Sequence, residues 1–196
     1  MKIYSLFFKR ILDVLLALIA LIFLFPVLLL VAIFIKIDTK GSIFYIKERV
    51  GKDQKLFKFY KFRTMIDKER SQYKQVFEGD SEITKVGSVL RRTKIDELPQ
   101  LLNVLIGDMS IVGPRPCLPK MKHRFGENWE KRFKEKPGLS SLAAVKGSIY
   151  LTFEEKGYWD KYYVDNLSFF LDVKIILKTI RIVLIGEKTL FNNQVK

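Results

Sequence analysis

The chain has 196 residues, enough for one domain of modest size, and its 35 Lys and Arg against 21 Asp and Glu give a formal net charge of +14. Such a basic balance predicts an anionic partner, whether nucleic acid, a phosphorylated small molecule or anionic lipid. A single cysteine and a single histidine exclude an internal disulfide framework and a cysteine-based zinc site, which suits a domain in a reducing compartment.

The first forty residues contain a long apolar block. Residues 14–35 hold no charged side chain, and Pro26 lies near their middle. A run of this length reaches the threshold for a membrane-crossing helix. A cleaved signal peptide would have a shorter apolar run and a small-residue cleavage site, and the sequence shows neither. We therefore predict a membrane-inserted segment over residues 1–40 and a cytosolic domain over residues 41–196.

The charges on both flanks of this block indicate how it enters the membrane. Basic residues lie on each side of it: Lys2, Lys9 and Arg10 before, and Lys36, Lys40, Lys47 and Arg49 after. Because basic flanks favour the cytoplasmic side, both ends are expected there, which one straight span cannot achieve. Pro26 removes a backbone donor and favours a bend. We favour a re-entrant helix broken at Pro26 over a spanning helix, although ordinary spans also tolerate proline.

Residues 42–65 have the pattern of a β-hairpin. Two strand-like runs flank a turn, and the second run alternates aromatic and basic side chains over residues 57–63, the period of a half-buried strand. This interleaving is also typical of a platform for single-stranded nucleic acid. We favour a hairpin with one packed face and solvated lysines, in which Arg49 and Arg63 are candidates for phosphate or lipid headgroup contacts.

Helical patterns follow the hairpin. Residues 67–78 predict a short polar helix, and residues 83–92 predict a helix with one packed face. Thr93 and Asp96 then have the spacing of a capping box, and Pro99 suits the first turn of a helix that continues through the apolar run after it. Spacing alone leaves two interpretations of Asp96 open, a helix cap or a catalytic carboxylate.

Three features favour a catalytic role for Asp96. The start of a helix presents free N–H groups and the positive end of its dipole, which suit a phosphate group. Arg91 and Arg92 lie one turn upstream and would keep Asp96 ionised, as a nucleophile or a metal ligand must be. The neighbouring Glu97 is a natural ligand for Mg²⁺, which prefers oxygen ligands and shares itself with phosphates.

Arg115 lies between two prolines, Pro114 and Pro116. Each proline fixes its own φ and biases the residue before it towards an extended backbone. A stiff backbone lowers the entropy cost of a bidentate arginine–phosphate contact, whereas a rigid loop around a solvated arginine has little structural purpose. We therefore predict a phosphate contact for Arg115. The adjacent Cys117 is predicted to be a small buried hydrophobe.

The last third of the chain has aromatic and basic side chains at helical spacing. Phe125, Trp129 and Phe133 recur every four residues, which predicts helix packing or interfacial anchoring. Residues 159–185 form either an interfacial helix on anionic lipid or a core helix with a solvated face. Together the elements predict an α+β fold: an N-terminal re-entrant membrane helix, then a small, mainly helical cytosolic domain with a short β-hairpin and interfacial helices.

Residues 84–116 (TKVGSVLRRTKIDELPQLLNVLIGDMSIVGPRP) closely resemble the core of the bacterial sugar transferases, the monotopic phosphoglycosyl transferases that load a sugar phosphate onto a polyprenyl phosphate. The resemblance runs over nearly the full chain, from the proline-interrupted hydrophobic helix to the YYVDNLSFFLDVKIILKT tail. The combination of DELPQ and GDMSIVGPRP is specific for this family, whereas either motif alone would be weak evidence. Residues 137–148 depart from the family pattern, so the sugar or nucleotide contacts of that loop do not carry over.

The resemblance implies a two-step reaction on a nucleotide diphosphate sugar, usually a UDP-sugar. Asp96 would attack the sugar-bearing phosphate, expel UMP and form a phosphosugar-aspartyl intermediate. Glu97 would hold Mg²⁺, and Arg91 and Arg115 would bind phosphate. Polyprenyl (undecaprenyl) phosphate would then take the sugar phosphate at the cytoplasmic face of the bacterial inner membrane. The resemblance also implies a re-entrant helix.

Two other functions compete with this interpretation. One is a non-catalytic, basic membrane-surface adaptor of polysaccharide assembly, which an assay of UMP release would separate from an enzyme. The other is a nucleic-acid binder, which rests on net charge and one aromatic–basic strand and has no recognised reading module. We therefore expect a UDP-sugar, polyprenyl phosphate and membrane lipid as partners, and no nucleic acid. The sequence leaves open whether the chain forms a homo-oligomer.

Overall fold

A computed structural model describes residues 4–66, 80–127 and 129–191, so the polar helix predicted for residues 67–78 lies outside the described residues. The α-helices are α1 (Lys9–Asp38), α2 (Lys85–Thr93), α3 (Gln100–Ile106), α4 (Leu142–Lys146), α5 (Phe153–Asp165), α6 (Phe169–Ile185) and α7 (Glu187–Phe191). The strands are β1 (Phe44–Val50), β2 (Leu56–Phe62), β3 (Ser110–Val112) and β4 (Gly138–Ser140). This mixture confirms the predicted combination of a long apolar N-terminal helix with a small β-hairpin.

Helix α1 is the one helix among the described residues that is long and apolar enough to cross a membrane. Only 11% of its most apolar window is buried, so it does not have the surroundings of a core helix in a soluble protein. Pro26 lies inside α1, and the helix is continuous across it. The structure thus has a proline within one helix and not two separate helices. A bend at Pro26 and the re-entrant path stay predictions.

One side of α1 packs along the rest of the chain. Ala17 is completely buried, in a cluster with residues of the hairpin, of α3 and of the segment after it: Phe57, Phe59, Leu101, Val104 and Met109. Further along α1, Val31 and Ile35 pack against Phe62 and Leu90. The opposite side of the helix exposes large apolar side chains, among them Phe23, which is 78% exposed. Helix α1 therefore contributes one face to the core and leaves the other uncovered.

Both ends of α1 are also attached to the same body by polar contacts. Three of them lie at the N-terminal end: Lys9 Nζ to Asp172 Oδ2 at 2.6 Å, Arg10 Nη2 to the Leu105 carbonyl at 2.9 Å, and the Ile111 N–H to Asp13 Oδ1 at 2.9 Å. At the C-terminal end, the Val86 N–H donates to Asp38 Oδ2 at 3.0 Å. The Arg63 guanidinium donates to the carbonyls of Ile35, Thr39 and Lys40, at and just beyond the end of α1.

The predicted hairpin is confirmed. Strands β1 and β2 pair antiparallel, with Phe44 opposite Phe62 and Val50 opposite Leu56. Successive side chains of a strand point to opposite faces, and Phe57 and Phe59 of β2 are buried while Lys58 between them is exposed. The expectation that all lysines of this strand are solvated is wrong for one residue, Lys61, because it lies on the same face as the two phenylalanines.

A second, smaller sheet has no counterpart in the sequence analysis. Strand β3 pairs with β4 in parallel, with Ser110 opposite Gly138 and Val112 opposite Ser140. The two backbones come so close that a Cβ at Gly113 would lie 2.2 Å from the Lys136 carbonyl oxygen. The absence of a side chain at this position thus allows the segment after β3 to approach the segment around β4.

Two helical predictions in the last third need correction. Residues 119–136 contain short 3₁₀ turns, Pro119–Arg124 and Trp129–Lys134, and not one helix with a four-residue repeat. Phe125 and Phe133 are nonetheless buried, in a cluster with Cys117, so packing was the correct alternative and Cys117 is buried as predicted. Residues 159–185 are divided between α5 and α6, since Ser168 accepts a hydrogen bond from the Leu171 N–H and begins a new helix.

Candidate active site

Asp96 lies in a 3₁₀ turn, Ile95–Glu97, between α2 and α3. It is 1% exposed, and Lys61 Nζ of β2 lies 2.5 Å from its Oδ2 atom. Apart from this ion pair, neither carboxylate oxygen has a hydrogen-bond partner among the described residues. A buried carboxylate normally accepts several hydrogen bonds, so these oxygens are available to another group.

The helix-cap interpretation of Asp96 is wrong. Helix α2 ends at Thr93, Lys94 adopts the left-handed conformation, and α3 begins only after Pro99 without a side-chain cap. The Thr93 hydroxyl donates back to the Val89 carbonyl at 2.9 Å instead of starting a new helix. The Asp96 side chain therefore does not cap α3, and its catalytic role stays a prediction.

Burial raises the pKa of Asp96, and the Lys61 ammonium works against this increase while the neighbouring Glu97 adds to it. Lys61, and not an arginine of α2, is thus the contacting cation that the structure gives this carboxylate. A buried carboxylate beside one ammonium group is poorly solvated, and in its deprotonated form it is well suited to act as a nucleophile.

Lys61 is held near Asp96 by a contact between β2 and α3. Asn103 of α3 is completely buried. Its side-chain amide donates to the Lys58 carbonyl at 2.6 Å and accepts from the Tyr60 N–H at 3.1 Å. This pair of hydrogen bonds fixes the strand immediately before Lys61 against the helix that follows Asp96.

Glu97 differs from its neighbour in both partner and ionisation. Its Oε1 atom lies 2.6 Å from Arg115 Nη2. Burial alone would raise the pKa of Glu97, but Arg115, with Lys61 and Lys94, lowers this pKa to about 2. The two adjacent carboxyl groups therefore have pKa values displaced in opposite directions, an arrangement typical of groups with separate roles.

Arg115 reaches Glu97 because the proline-flanked loop, residues 114–116, follows directly from the β3–β4 pair. The Gly138 N–H donates to the Pro114 carbonyl at 2.9 Å, and Arg115 Nη1 donates to the Leu139 carbonyl at 2.5 Å. The Arg115 side chain is 34% exposed. It contacts Glu97 and is still partly exposed to solvent, where an anionic substrate could meet it.

The other predicted residues have different surroundings. Arg91 lies half-buried in the last turn of α2, five residues before Asp96. Arg49 lies with its guanidinium carbon 5.2 Å from the centre of the Phe59 ring. Arg63 is buried and donates to carbonyls at the end of α1. These contacts support a structural role, and its phosphate or lipid headgroup contact stays a prediction.

Gln100 is a further residue that the sequence analysis missed. Its side chain is completely buried, and neither its amide oxygen nor its amide nitrogen has a partner in the described structure. It is the first residue of α3, four residues after Asp96 in the sequence. The sequence signal is weak, because Gln100 stands before the apolar run of α3 and not inside it.

The donor set fits Mg²⁺. This ion usually binds through one or two carboxylates together with substrate phosphates and water. Asp96 and Glu97 supply two adjacent carboxylates, and the Asp96 oxygens are buried without hydrogen-bond partners. In the part of the chain that the structure describes, no group of three His, Cys, Asp or Glu side chains comes together, so substrate phosphates would have to complete the coordination.

Comparison of the whole chain with known proteins identifies its family. The family model for bacterial sugar transferases matches residues 4–186. The uncharacterized sugar transferase EpsL of Bacillus subtilis is 39% identical over 179 residues, which cover 91% of this chain and 88% of that protein. The exopolysaccharide production protein ExoY of Sinorhizobium fredii is 38% identical over 188 residues, covering 88% of this chain and 83% of that protein.

A third relative is longer. UDP-N-acetylgalactosamine-undecaprenyl-phosphate N-acetylgalactosaminephosphotransferase of Aeromonas hydrophila is 39% identical over 189 residues, which cover 92% of this chain but only 44% of that protein. The match to the family model confirms the resemblance found in the sequence and the prediction of an enzyme. The chain therefore belongs to the bacterial sugar transferase family.

Proposed function

We propose that this enzyme transfers a sugar phosphate from a UDP-sugar to polyprenyl (undecaprenyl) phosphate and releases UMP. The observation that carries the proposal is Asp96, a buried carboxylate paired with Lys61 and adjacent to the Glu97–Arg115 pair. The relative from A. hydrophila is named for a reaction of this type. The product would begin the membrane stage of a bacterial glycan.

Asp96 is the proposed nucleophile. One of its oxygens attacks the phosphorus that carries the sugar, and the P–O bond to UMP breaks with its electron pair leaving on UMP. The product is an acyl phosphate that joins Asp96 to the sugar phosphate. An oxygen of polyprenyl phosphate then attacks the same phosphorus and breaks the bond to Asp96. The carboxylate is restored, and a polyprenyl diphosphate sugar leaves.

The cations around Asp96 have separate roles in this scheme. Lys61 keeps the buried nucleophile ionised. Arg115, whose side chain is partly exposed, binds the diphosphate in a geometry that the stiff proline-flanked loop sets in advance. Glu97, ionised because its pKa is about 2, is the proposed ligand of Mg²⁺. When bound, Mg²⁺ would offset the repulsion between an anionic nucleophile and an anionic donor.

The second substrate is a lipid, and α1 has the features that access to lipid requires. We propose that α1 enters the cytoplasmic leaflet and returns to the same face. Its two ends are attached to one body through Arg10 and Asp13 at the start and Asp38 at the end. A straight span would have to place that body on both sides of the membrane. This attachment supports the same-side path that the flanking charges predict.

Labelling tests this path. Single cysteines at Lys2 and at Lys40, in a Cys117→Ala background, are expected to react with a membrane-impermeant maleimide only from the cytoplasmic side, because both ends of α1 return there. The measurement compares intact spheroplasts with inverted vesicles, and detergent-permeabilised cells control for reactivity. Labelling of position 2 from outside would show a true span.

The reaction itself is tested by trapping. Incubation with a UDP-sugar and Mg²⁺, without polyprenyl phosphate, is expected to release one equivalent of UMP and to add the mass of the sugar phosphate to the peptide that contains Asp96. Polyprenyl phosphate should then remove that mass. An active preparation that never carries the adduct would overturn the covalent mechanism. A folded, membrane-bound preparation that releases no UMP from any UDP-sugar would favour the adaptor.

A further inference from the structure

A second buried ion pair lies on the other side of the proline-flanked loop. Arg132, in the Trp129–Lys134 turn, has its Nη2 atom 2.9 Å from Asp160 Oδ2 of α5, and both side chains are 2% exposed. The Arg132 guanidinium carbon lies 3.5 Å from the centre of the Phe125 ring. The pair is thus fully enclosed, and it contains neither of the carboxylates of the candidate site.

Stability alone gives a weak reason for such a pair. Burial raises the pKa of Asp160 to about 6 although Arg132 opposes the increase, so the loss of hydration outweighs the attraction. Replacing a buried ion pair by apolar residues of similar volume is often neutral or stabilising. Moreover, Arg132 Nε and Nη1 and Asp160 Oδ1 have no hydrogen-bond partner among the described residues.

The second contact of Arg132 indicates what the pair does. Arg132 Nη2 donates to the main-chain carbonyl of Arg115 at 2.6 Å. Pro114 and Pro116 have no N–H group, so two of the three residues in this loop cannot donate backbone hydrogen bonds. The loop is held through its carbonyls instead, Pro114 by the Gly138 N–H and Arg115 by Arg132.

The contacts form a continuous series from α5 to the carboxylate pair. Asp160 binds Arg132, Arg132 holds the Arg115 carbonyl, and the Arg115 side chain contacts Glu97 at 2.6 Å. We propose that Arg132 and Asp160 are positioning residues that fix the main chain of Arg115 so that its guanidinium meets both Glu97 and the donor diphosphate. This role rests on the proposed function, since it needs Arg115 to bind the donor.

The test is a double-mutant cycle with an apolar replacement of the pair. Arg132→Met combined with Asp160→Leu removes both charges and leaves two apolar side chains in the enclosed site. Its kcat/KM for UMP release is measured in the wild-type and in the Arg115→Ala background, together with thermal unfolding of the full chain in detergent. Lys134→Met, an exposed residue of the same turn, is the matched control.

A positioning role predicts that the replaced pair folds and lowers kcat/KM by roughly 10- to 100-fold with Arg115 present, mainly through a higher KM for the UDP-sugar. With Ala at position 115 the same replacement should cost less than about 3-fold, because contacts in one network are not additive. Equal losses in both backgrounds, or full activity of the folded variant, would overturn the proposal.

Two outcomes separate this inference from the proposed function. If the apolar pair does not fold, Arg132→Lys is measured in the same two backgrounds. Its ammonium cannot reproduce the guanidinium geometry, and a loss independent of Arg115 again overturns the proposal. If the wild-type chain releases no UMP, the proposed function fails. Wild-type release with no coupling between Arg132 and Arg115 removes only the positioning role.

Discussion

Asp96→Asn is expected to abolish UMP release and the covalent adduct together. An amide is too weak a nucleophile to attack the donor phosphorus, and removing a nucleophile costs roughly 10⁴-fold or more in kcat. The change keeps the size of the side chain, so the buried position beside Lys61 can still be filled. The measurements are UMP release with both substrates and intact-protein mass after incubation with the donor alone.

The matched control for this variant is Asp165→Asn. Asp165 lies exposed at the end of α5, and its substitution should leave both measurements unchanged. Thermal unfolding of the two variants separates a chemical defect from a folding defect. Adduct formation or UMP release at wild-type level in Asp96→Asn would remove Asp96 from the mechanism even if the enzyme class survives.

Lys61→Met is expected to lower kcat/KM by roughly 10²- to 10³-fold and to move the acid side of the pH profile to higher pH. Lys61 lowers the pKa of Asp96, whereas burial raises it. Without the ammonium that pKa must rise further. Since the deprotonated carboxylate is the reactive form, less of it is present at any given pH, and the activity is lost at a higher pH than in the wild-type enzyme.

The pH dependence of UMP release, measured between about pH 5 and 9, checks this shift. Lys58→Met is the matched control, because Lys58 is on the same strand but its side chain is exposed. Lys61→Arg keeps a cation and should recover part of the activity with a smaller shift. If Lys61→Met lowers the activity but leaves the acid side of the pH profile unchanged, Lys61 acts on the donor and not on Asp96.

The hairpin was predictable because its residues alternate with a period of two, and the same alternation also predicts the direction of the Lys61 side chain. Phe57, Phe59 and Lys61 share the parity of one strand face, so a strand with a buried phenylalanine face also turns Lys61 inward. A lysine on a packed face needs a carboxylate. The carboxylate that Lys61 contacts is Asp96. This pairing depends on the tertiary contact through Asn103, which produces no periodic pattern in the sequence.

Other features of the site depend on segments that are too short or too far apart for sequence patterns. Strands β3 and β4 have three residues each, fewer than a period needs to show. Arg132 and Asp160 are separated by β4, α4 and the first half of α5, so neither marks the other in the sequence. The start of α3 was misplaced because Thr93-x-x-Asp96 has the letters of a capping box, while the left-handed Lys94 interrupts the backbone between them.

Helix α1 is part of the hydrophobic core, since Ala17 packs in the same cluster as Phe57 and Val104. Removing residues 1–40 would therefore expose this cluster to water instead of releasing a soluble catalytic domain. Arg10 and Asp38 attach the two ends of α1 to the same body. If α1 lies in the membrane as we propose, these contacts fix the position of Asp96 relative to the lipid, so the place at which a polyprenyl phosphate is presented depends on the fold and not on a flexible tether.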